Sequence, residues 1–300
     1  MKTLPVSQVI SGHIDFPLLS GLAGEIIRLA GGESELRSWF PKMLRSAVDD
    51  VVDTANTRRR SYGELEKTEK TYLGTRVEIL VRGKLRLPKG RLDFLVAGRD
   101  VDMKFTITGN WMIPSEALGH VCLVAALDEQ NSRCHLGIFV ARPEYLTGGV
   151  NRDGKKSVSS FGFSQILWLL KNEPVEENFW RSIPAELVDE VFNAATGNDR
   201  IVSLFRGVLD RPVGRRVVEE AAAQKDFMRR LRADKSRGTR GRLLAEGIVL
   251  LNGTYDAALI SDLGLPHCGQ SEFISHRVQS HEVAVCARHG WNVAAFDVAP

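Results

Sequence analysis

Between Val101 and Ile107, apolar and polar residues alternate without a break: Val101, Met103, Phe105 and Ile107 are set against Asp102, Lys104 and Thr106. That period of two is the signature of a strand with one face in a core. Leu92–Val96 predicts a partner strand, joined through Ala97-Gly98-Arg99-Asp100, while His120–Leu127 and His135–Arg142 predict two more. Upstream the period becomes helical. Leu36, Phe40, Leu44, Val48 and Val51 or Val52 recur at helical spacing within residues 34–60, and residues 65–82 predict a second helix, which carries Glu78. A polar, arginine-rich connection, Thr57–Arg60, lies between them. Helices mixed with mostly antiparallel strands imply an α/β domain around a central sheet.

Residues 147–160 break this pattern with Gly148, Gly149, Gly154 and several serines and lysines, so a domain boundary is expected in or shortly after them. Beyond it the chain reads as mainly helical, over Ala185–Ala195, Ile201–Leu209, Val213–Ala223 and Asp226–Arg232, before a short apolar strand at Gly247–Leu251. Helices, a short turn, a basic helix, a basic loop and a strand follow in the order of a winged helix-turn-helix. The expected division is therefore residues 1–160 and residues 170–300.

Composition changes little in this picture. Three hundred residues suit two domains of ~150, and 43% apolar with 26% charged residues is ordinary for a soluble protein. No run approaches the ~18 apolar residues of a membrane helix. Met1–Phe16 holds Pro5, Ser11, Gly12, His13 and Asp15 rather than a basic and then apolar leader, so the cytoplasm is the expected location. Cys122, Cys134, Cys268 and Cys286 are far apart and are expected to be buried thiols. Cys268, Cys286 and His289 lack the spacing of a structural zinc site.

The net charge of +3 argues little, but its distribution matters more: Arg229–Arg242 packs seven basic residues (Arg229, Arg230, Arg232, Lys235, Arg237, Arg240 and Arg242) around a single acid, Asp234. Such density points to a surface for a polyanion, against the plainer reading of a solvated basic loop.

The candidate chemistry sits on the alternating strand. Hydrolysis of a phosphodiester requires an activated water and a metal that stabilises the pentacovalent charge; two or three carboxylates hold the metal and a lysine orients or deprotonates the water. Asp93 followed by Asp102-Met103-Lys104 has that pattern. Asp102 and Lys104 share a strand face about 6.6 Å apart. A turn at Gly98-Arg99 would set Asp93 opposite Lys104 and diagonal to Asp102, at roughly 5 and 7–8 Å. Glu78 is a further ligand or water-orienting group.

Glu144, Asp153 and Lys155 repeat the same spacing, but Asp153-Gly154-Lys155 lies in a glycine-rich polar stretch with no predicted strand to fix it. Gly149 to Lys155 also approaches a phosphate loop, with Lys156 where Ser or Thr should hold magnesium, and reads instead as a solvated linker. Neither Gly-x-Ser-x-Gly nor His-Glu-x-x-His occurs.

Several segments carry a family resemblance: Lys67 to Ile79, Val101-Asp102-Met103-Lys104-Phe105, Trp111-Met112-Ile113-Pro114, Leu118 to Val124, Asn151-Arg152-Asp153, Asp226 to Arg232, Glu246-Gly247-Ile248 and Ser261 to Pro266. In this order, from about residue 40 to residue 278, the chain resembles the NaeI family of type II (type IIE) restriction endonucleases. The resemblance implies a restriction-endonuclease-like PD-(D/E)XK domain, with a mixed sheet flanked by helices, followed by a mainly helical winged-helix domain with a catabolite-activator-like motif. It implies a homodimer with Mg2+ that binds two double-stranded DNA copies, one cleaved and one an effector.

The family's active-site positions fall on Glu78, Asp93, Asp102 and Lys104, with Asp93, Asp102 and Glu78 toward the metal. Leu92 replaces the proline of the superfamily signature. Lys67 and Lys70 join the basic segment as candidate DNA contacts. An apolar Val51, near the family's leucine-to-lysine switch position, implies nuclease rather than topoisomerase behaviour, and a GC-rich palindrome is the implied target. Asn110, Trp111, Ser115 and Glu116 are the nearby residues considered for base readout, which depends on side-chain placement in a groove. A winged-helix regulator with an inert nuclease half, or a repair nuclease, are the alternatives.

Overall fold

The computed structural model describes residues 4–149, 151–223 and 238–293. The chain divides into two compact units, Met1–Val52 with Ser61–Asn178, and Asp53–Arg60 with Phe179–Pro300.

In the first unit, α1 (Phe16–Leu29) buries Leu19, Leu22, Ala23 and Ile26. The stripe Leu36, Phe40, Leu44, Val48 and Val52 of α2 (Glu33–Val52) is buried as its spacing predicts. The helix expected to reach residue 60 stops at Val52, because Asp53 takes a left-handed φ of 46°. A single further turn, α3 (Thr54–Thr57), ends at Arg58, again left-handed. In α4 (Lys67–Leu85) a reciprocal cap between Glu66 and Glu69 satisfies the first amides, and Leu73, Val77, Val81 and Leu85 face the core.

The strands are β1 (Phe94–Val96), β2 (Arg99–Thr106), β3 (Met112–Ile113), β4 (Val121–Asp128), β5 (Arg133–Val140), β6 (Lys156–Ser157) and, after the short α5 (Ser160–Ser164), β7 (Leu167–Pro174). Five of them form a sheet in the order β1-β2-β4-β5-β7. Its neighbours are antiparallel except β2 and β4, which run parallel, so the sheet is mixed. Strand β4 is buried along its whole length. Val121, Leu123, Ala125 and Leu127 join the core formed with the helices, while Cys122, Val124 and Ala126 pack with Trp111, Phe139 and Ile166. Both faces being covered explains its nearly unbroken apolar sequence.

Strands β3 and β6 pair separately as a small ribbon. The stretch expected to lack a strand therefore has one immediately after Lys155. The division between units falls after Asn178, beyond the expected 160–170, because β7 pairs with β5 as an edge strand of the first sheet.

The second unit contains α6 (Ala185–Asn193), α7 (Gly197–Gly207), β8 (Val213–Gly214), α8 (Arg215–Ala222), α9 (Thr239–Leu244), β9 (Ile248–Asn252), α10 (Ala257–Asp262), β10 (Glu272–Arg277) and α11 (Val283–Arg288). The predicted helix Asp226–Arg232 lies outside the described residues. An antiparallel sheet in the order β8-β10-β9 packs with these helices around Trp180, Phe192, Ile201, Phe205, Leu250 and Phe273. Among the described residues no helix is long and apolar enough to cross a membrane. All four cysteines are free and buried.

Strand β10 hides two polar residues by satisfying them. Ser275 donates from Oγ to the Val208 carbonyl at 2.7 Å, and the ring nitrogens of His276 meet Asp210 at 2.6 Å and Glu282 at 2.8 Å. Burial alone would lower the His276 pKa, but the bonds to Glu282 and Asp210 outweigh it and raise the pKa. Two carboxylates leave both ring nitrogens as donors, which is the protonated form. The stabilisation is thus fully present below 6.5, the ordinary imidazole value, and is lost as pH rises through the raised folded value. Thermal melts over that range should show the second unit weakening with rising pH by about 1–3 kcal/mol. His276→Gln should flatten the dependence; a slope equal to that of the parent protein would show that another group titrates.

Candidate active site

The hairpin between β1 and β2 closes on Ala97 and Gly98, whose φ values of 47° and 75° are both left-handed, as a type I′ turn requires. The paired residues are Val96 with Arg99, Leu95 with Asp100 and Phe94 with Val101. This corrects the turn expected at Gly98-Arg99. Continued by one step, the register puts Asp93 level with Asp102 rather than opposite Lys104. The Met103 amide donates to Asp93 Oδ2 at 2.6 Å, so one carboxylate oxygen is anchored to the strand that carries the other two residues.

The chain before Asp93 is held by Asp100. Its Oδ1 accepts the Arg91 amide at 2.6 Å and the Leu92 amide at 3.2 Å. Gly90 makes room, since a Cβ there would collide with the same oxygen. Leu92 is the departure from the signature proline, and it supplies an N–H that proline lacks.

Asp102 is buried, with 4% of its surface exposed. Lys104 donates from Nζ to Asp102 Oδ1 at 2.7 Å and to the Met103 carbonyl at 3.2 Å. On the adjacent parallel strand, Cys122 stands level with Asp102, its sulfur 3.8 Å from Oδ2. Burial pushes the Cys122 thiol strongly upward, which keeps it a proton donor. Burial also raises Asp102; Lys104 opposes that, while Asp93 and Glu116 add to it. Glu78 is raised by its own burial first and then by Asp93.

Glu78 reaches the site because it follows Val77 at the margin of the buried stripe of α4. Glu78, Asp93 and Lys104 line one cleft of about 380 Å³, together with Lys70, Thr71, Thr75 and Lys155. No group of three or more acids, histidines or cysteines among the described residues stands ready-made for a metal ion. The donors nevertheless suit a hard divalent cation: they are carboxylate oxygens, and two of them are raised by burial first and by the charge of Asp93 after it, both of which a cation would offset. Lys104 Nζ already places a positive charge against Asp102.

The other candidates divide. Lys70 lines the cleft, whereas Lys67 is exposed and does not. Of the repeated spacing Glu144, Asp153 and Lys155, only Lys155 reaches it, a residue passed over in the sequence because no strand was expected there. Asn110 and Trp111 have structural duties. Asn110 bonds both the amide and the carbonyl of Val158, at 3.1 and 3.2 Å, and the buried Trp111 indole donates to the Ala125 carbonyl at 2.8 Å. Ser115 and Glu116 are exposed in a single turn.

In the second unit Arg240 faces Asp256 at 3.3 Å and lies over the Trp291 ring, and Arg242 bonds Asp199 at 2.8 Å. Arg229, Arg230, Arg232, Lys235 and Arg237 lie outside the described residues.

A mixed sheet flanked by helices, with a cleft of carboxylates and lysines beside its first hairpin, fits an endonuclease. The family model for restriction endonuclease NaeI matches residues 37–289. The type II restriction enzyme NaeI of Lentzea aerocolonigenes is 35% identical over 246 residues, which span 79% of this chain and 77% of that protein. The chain belongs to the restriction endonuclease NaeI family, and is by that membership a site-specific deoxyribonuclease.

Asp100 touches neither the cleft nor a substrate, yet it sets the loop that presents Asp93. Asp100→Ala should free two amides and lower the single-turnover cleavage rate by roughly 10- to 100-fold, a loss expected of ~1–3 kcal/mol. Cleavage rate and DNA affinity should be measured together. Weaker binding with an unchanged rate would place Asp100 outside the positioning of Asp93.

Proposed function

We propose that the chain is a magnesium-dependent type IIE restriction endonuclease in which Glu78, Asp93, Asp102 and Lys104 cut the phosphodiester. The observation that carries this reading is the hairpin register, which ties Asp93 to the strand of Asp102 and Lys104; Asp93, Lys104 and Glu78 line one cleft, and the buried Asp102 stands behind it, bonded to Lys104. Asp93 and Asp102 would hold the cation, with Glu78 as a further ligand or a hold on the water. A divalent cation held there would supply charge stabilisation for the phosphoryl oxygens and a lowered pKa for water. Lys104, which lines the cleft, would hold and orient the attacking water. Val51 belongs to the core packed against the sheet, where a lysine would be an unpaired buried charge, in keeping with nuclease rather than topoisomerase behaviour.

End sequencing of several plasmids incubated with the protein and magnesium should return discrete recurring ends, placing the target among GC-rich palindromes. Lys104→Ala and Asp102→Ala should each lose at least ~1,000-fold in rate, as members of one catalytic unit. Lys104→Ala should bind nearly as the parent does. Calcium should support binding without cutting. Full activity in EDTA, or in either variant, would remove this cleft from the reaction.

The second unit is the place for an effector duplex, in a cytoplasmic homodimer that engages two duplexes. Support comes from a small antiparallel sheet, β8-β10-β9, in a mainly helical unit, which a winged helix-turn-helix would need, and from the density of basic residues between Arg229 and Arg242. Arg240 and Arg242 are already paired, so phosphate contact falls chiefly on Arg229, Arg230, Arg232, Lys235 and Arg237.

An effector activates only by binding the cleavage-competent state more tightly than the idle one. A coupling of ~1–3 kcal/mol changes affinity about 5- to 150-fold. Plasmids with one site should therefore be cut more slowly than plasmids with several, and a short duplex bearing the site should rescue the slow one. Equal rates at dilutions that prevent bridging would reduce the second unit to an anchor.

A further inference from the structure

Lys155 stands in the cleft for reasons local to its own loop. The Asn151 side chain accepts the amides of Asp153 at 3.0 Å and Lys155 at 2.8 Å, and the Asn151 amide donates to the Lys155 carbonyl at 2.8 Å. That loop passes directly into β6, which pairs with β3. Next along the chain, Val158 is held by both polar atoms of Asn110. Two asparagines therefore fix Lys155 from either side, and they do so with backbone-like hydrogen bonds that do not depend on long side chains.

The charge presented there has no internal use. Lys104 is committed to Asp102, and Lys70 lies over the Tyr62 ring and within 3.4 Å of the Gly63 carbonyl. Lys155 forms no ion pair among the described residues, although it is half-buried and shares the cleft with Glu78 and Asp93. A cation kept on a braced loop but left unpaired beside carboxylates suits a ligand that brings its own negative charge, and a phosphodiester strand is such a ligand.

We propose that Lys155 binds a non-bridging phosphate oxygen of the strand being cut, steadying that strand against the carboxylate wall while Lys104 serves the water. This rests on reading the cleft as the nuclease site. Together they divide the work: Lys104 acts on the rate, Lys155 on the hold.

The test uses the full-length protein and a short duplex spanning a mapped cut site, with binding measured in calcium and cleavage in magnesium. Lys155→Ala should weaken binding roughly 10- to 100-fold and flatten the log–log salt dependence by ~0.9 per subunit engaged. Lys155→Arg should restore much of both, and Asp153→Ala should change neither. Duplexes carrying one neutral methylphosphonate at successive linkages supply the decisive comparison. The parent protein should lose affinity at one linkage where Lys155→Ala is indifferent.

Unchanged affinity and salt slope in Lys155→Ala, or a methylphosphonate profile identical to the parent's, would overturn the assignment and leave a solvated lysine. If Lys104→Ala and Asp102→Ala also cut normally, the failure belongs to the reading of the cleft. If only the Lys155 results fail, the cleft stands without this contact.

Discussion

The β1–β2 turn closes on two left-handed residues, Ala97 and Gly98, and the cleft is counted outward from that closure. Because side chains alternate along a strand, moving the pairing by a single residue would send Asp93 to the wrong face. An alanine in the left-handed region costs about 1–2 kcal/mol, so the turn holds only because its surroundings over-determine it. The Met103 amide on Asp93 and the Asp100 carboxylate on the preceding loop do so from both sides. The parallel partner β4 then brings Cys122 level with Asp102, its sulfur 3.8 Å from the buried carboxylate.

Much of this was legible in the chain. The α2 stripe and the alternation from Val101 to Ile107 are strong periodic signals, and both elements are present, although the helix stops at Val52, short of residue 60, and the strand ends at Thr106. The pairing of Asp102 with Lys104 was legible for the same reason, since the two need only a strand to share a face. The register of Asp93 against them was not, because Gly98 suits either of two turns and only the tertiary setting selects Ala97 as its companion.

Strand β7 escaped notice because Trp168, Lys171, Asn172 and Glu173 on an edge carry no clean alternation. Strand β10 escaped because Ser275 and His276, polar in sequence, are buried through partners distant along the chain. Lys155 was discounted for want of a strand, yet β6 is only two residues long and is specified largely by its pairing with β3. Such an element leaves almost no periodic trace.

The ion pair between Lys104 and Asp102 also bears on how the site waits. Burial first, and the charge of Asp93 after it, raise the cost of a negative charge on Glu78 and Asp102. The lysine relieves part of it from within, at 2.7 Å. Lys104 thus holds the Asp102 carboxylate in place on its own strand, so this part of the site is positioned by the chain itself.

Leu92 carries a consequence for how the approach to Asp93 is stiffened. In the signature of this nuclease superfamily the residue before the first aspartate is a proline, whose ring stiffens the approach by restricting its torsion. Here a carboxylate eight residues further on, Asp100, grips the Leu92 amide instead, and a proline would abolish that grip. The same rigidity is reached by a tether in place of a ring. In this chain the tether depends on two positions ten residues apart, since Gly90 leaves the room that the Asp100 carboxylate occupies.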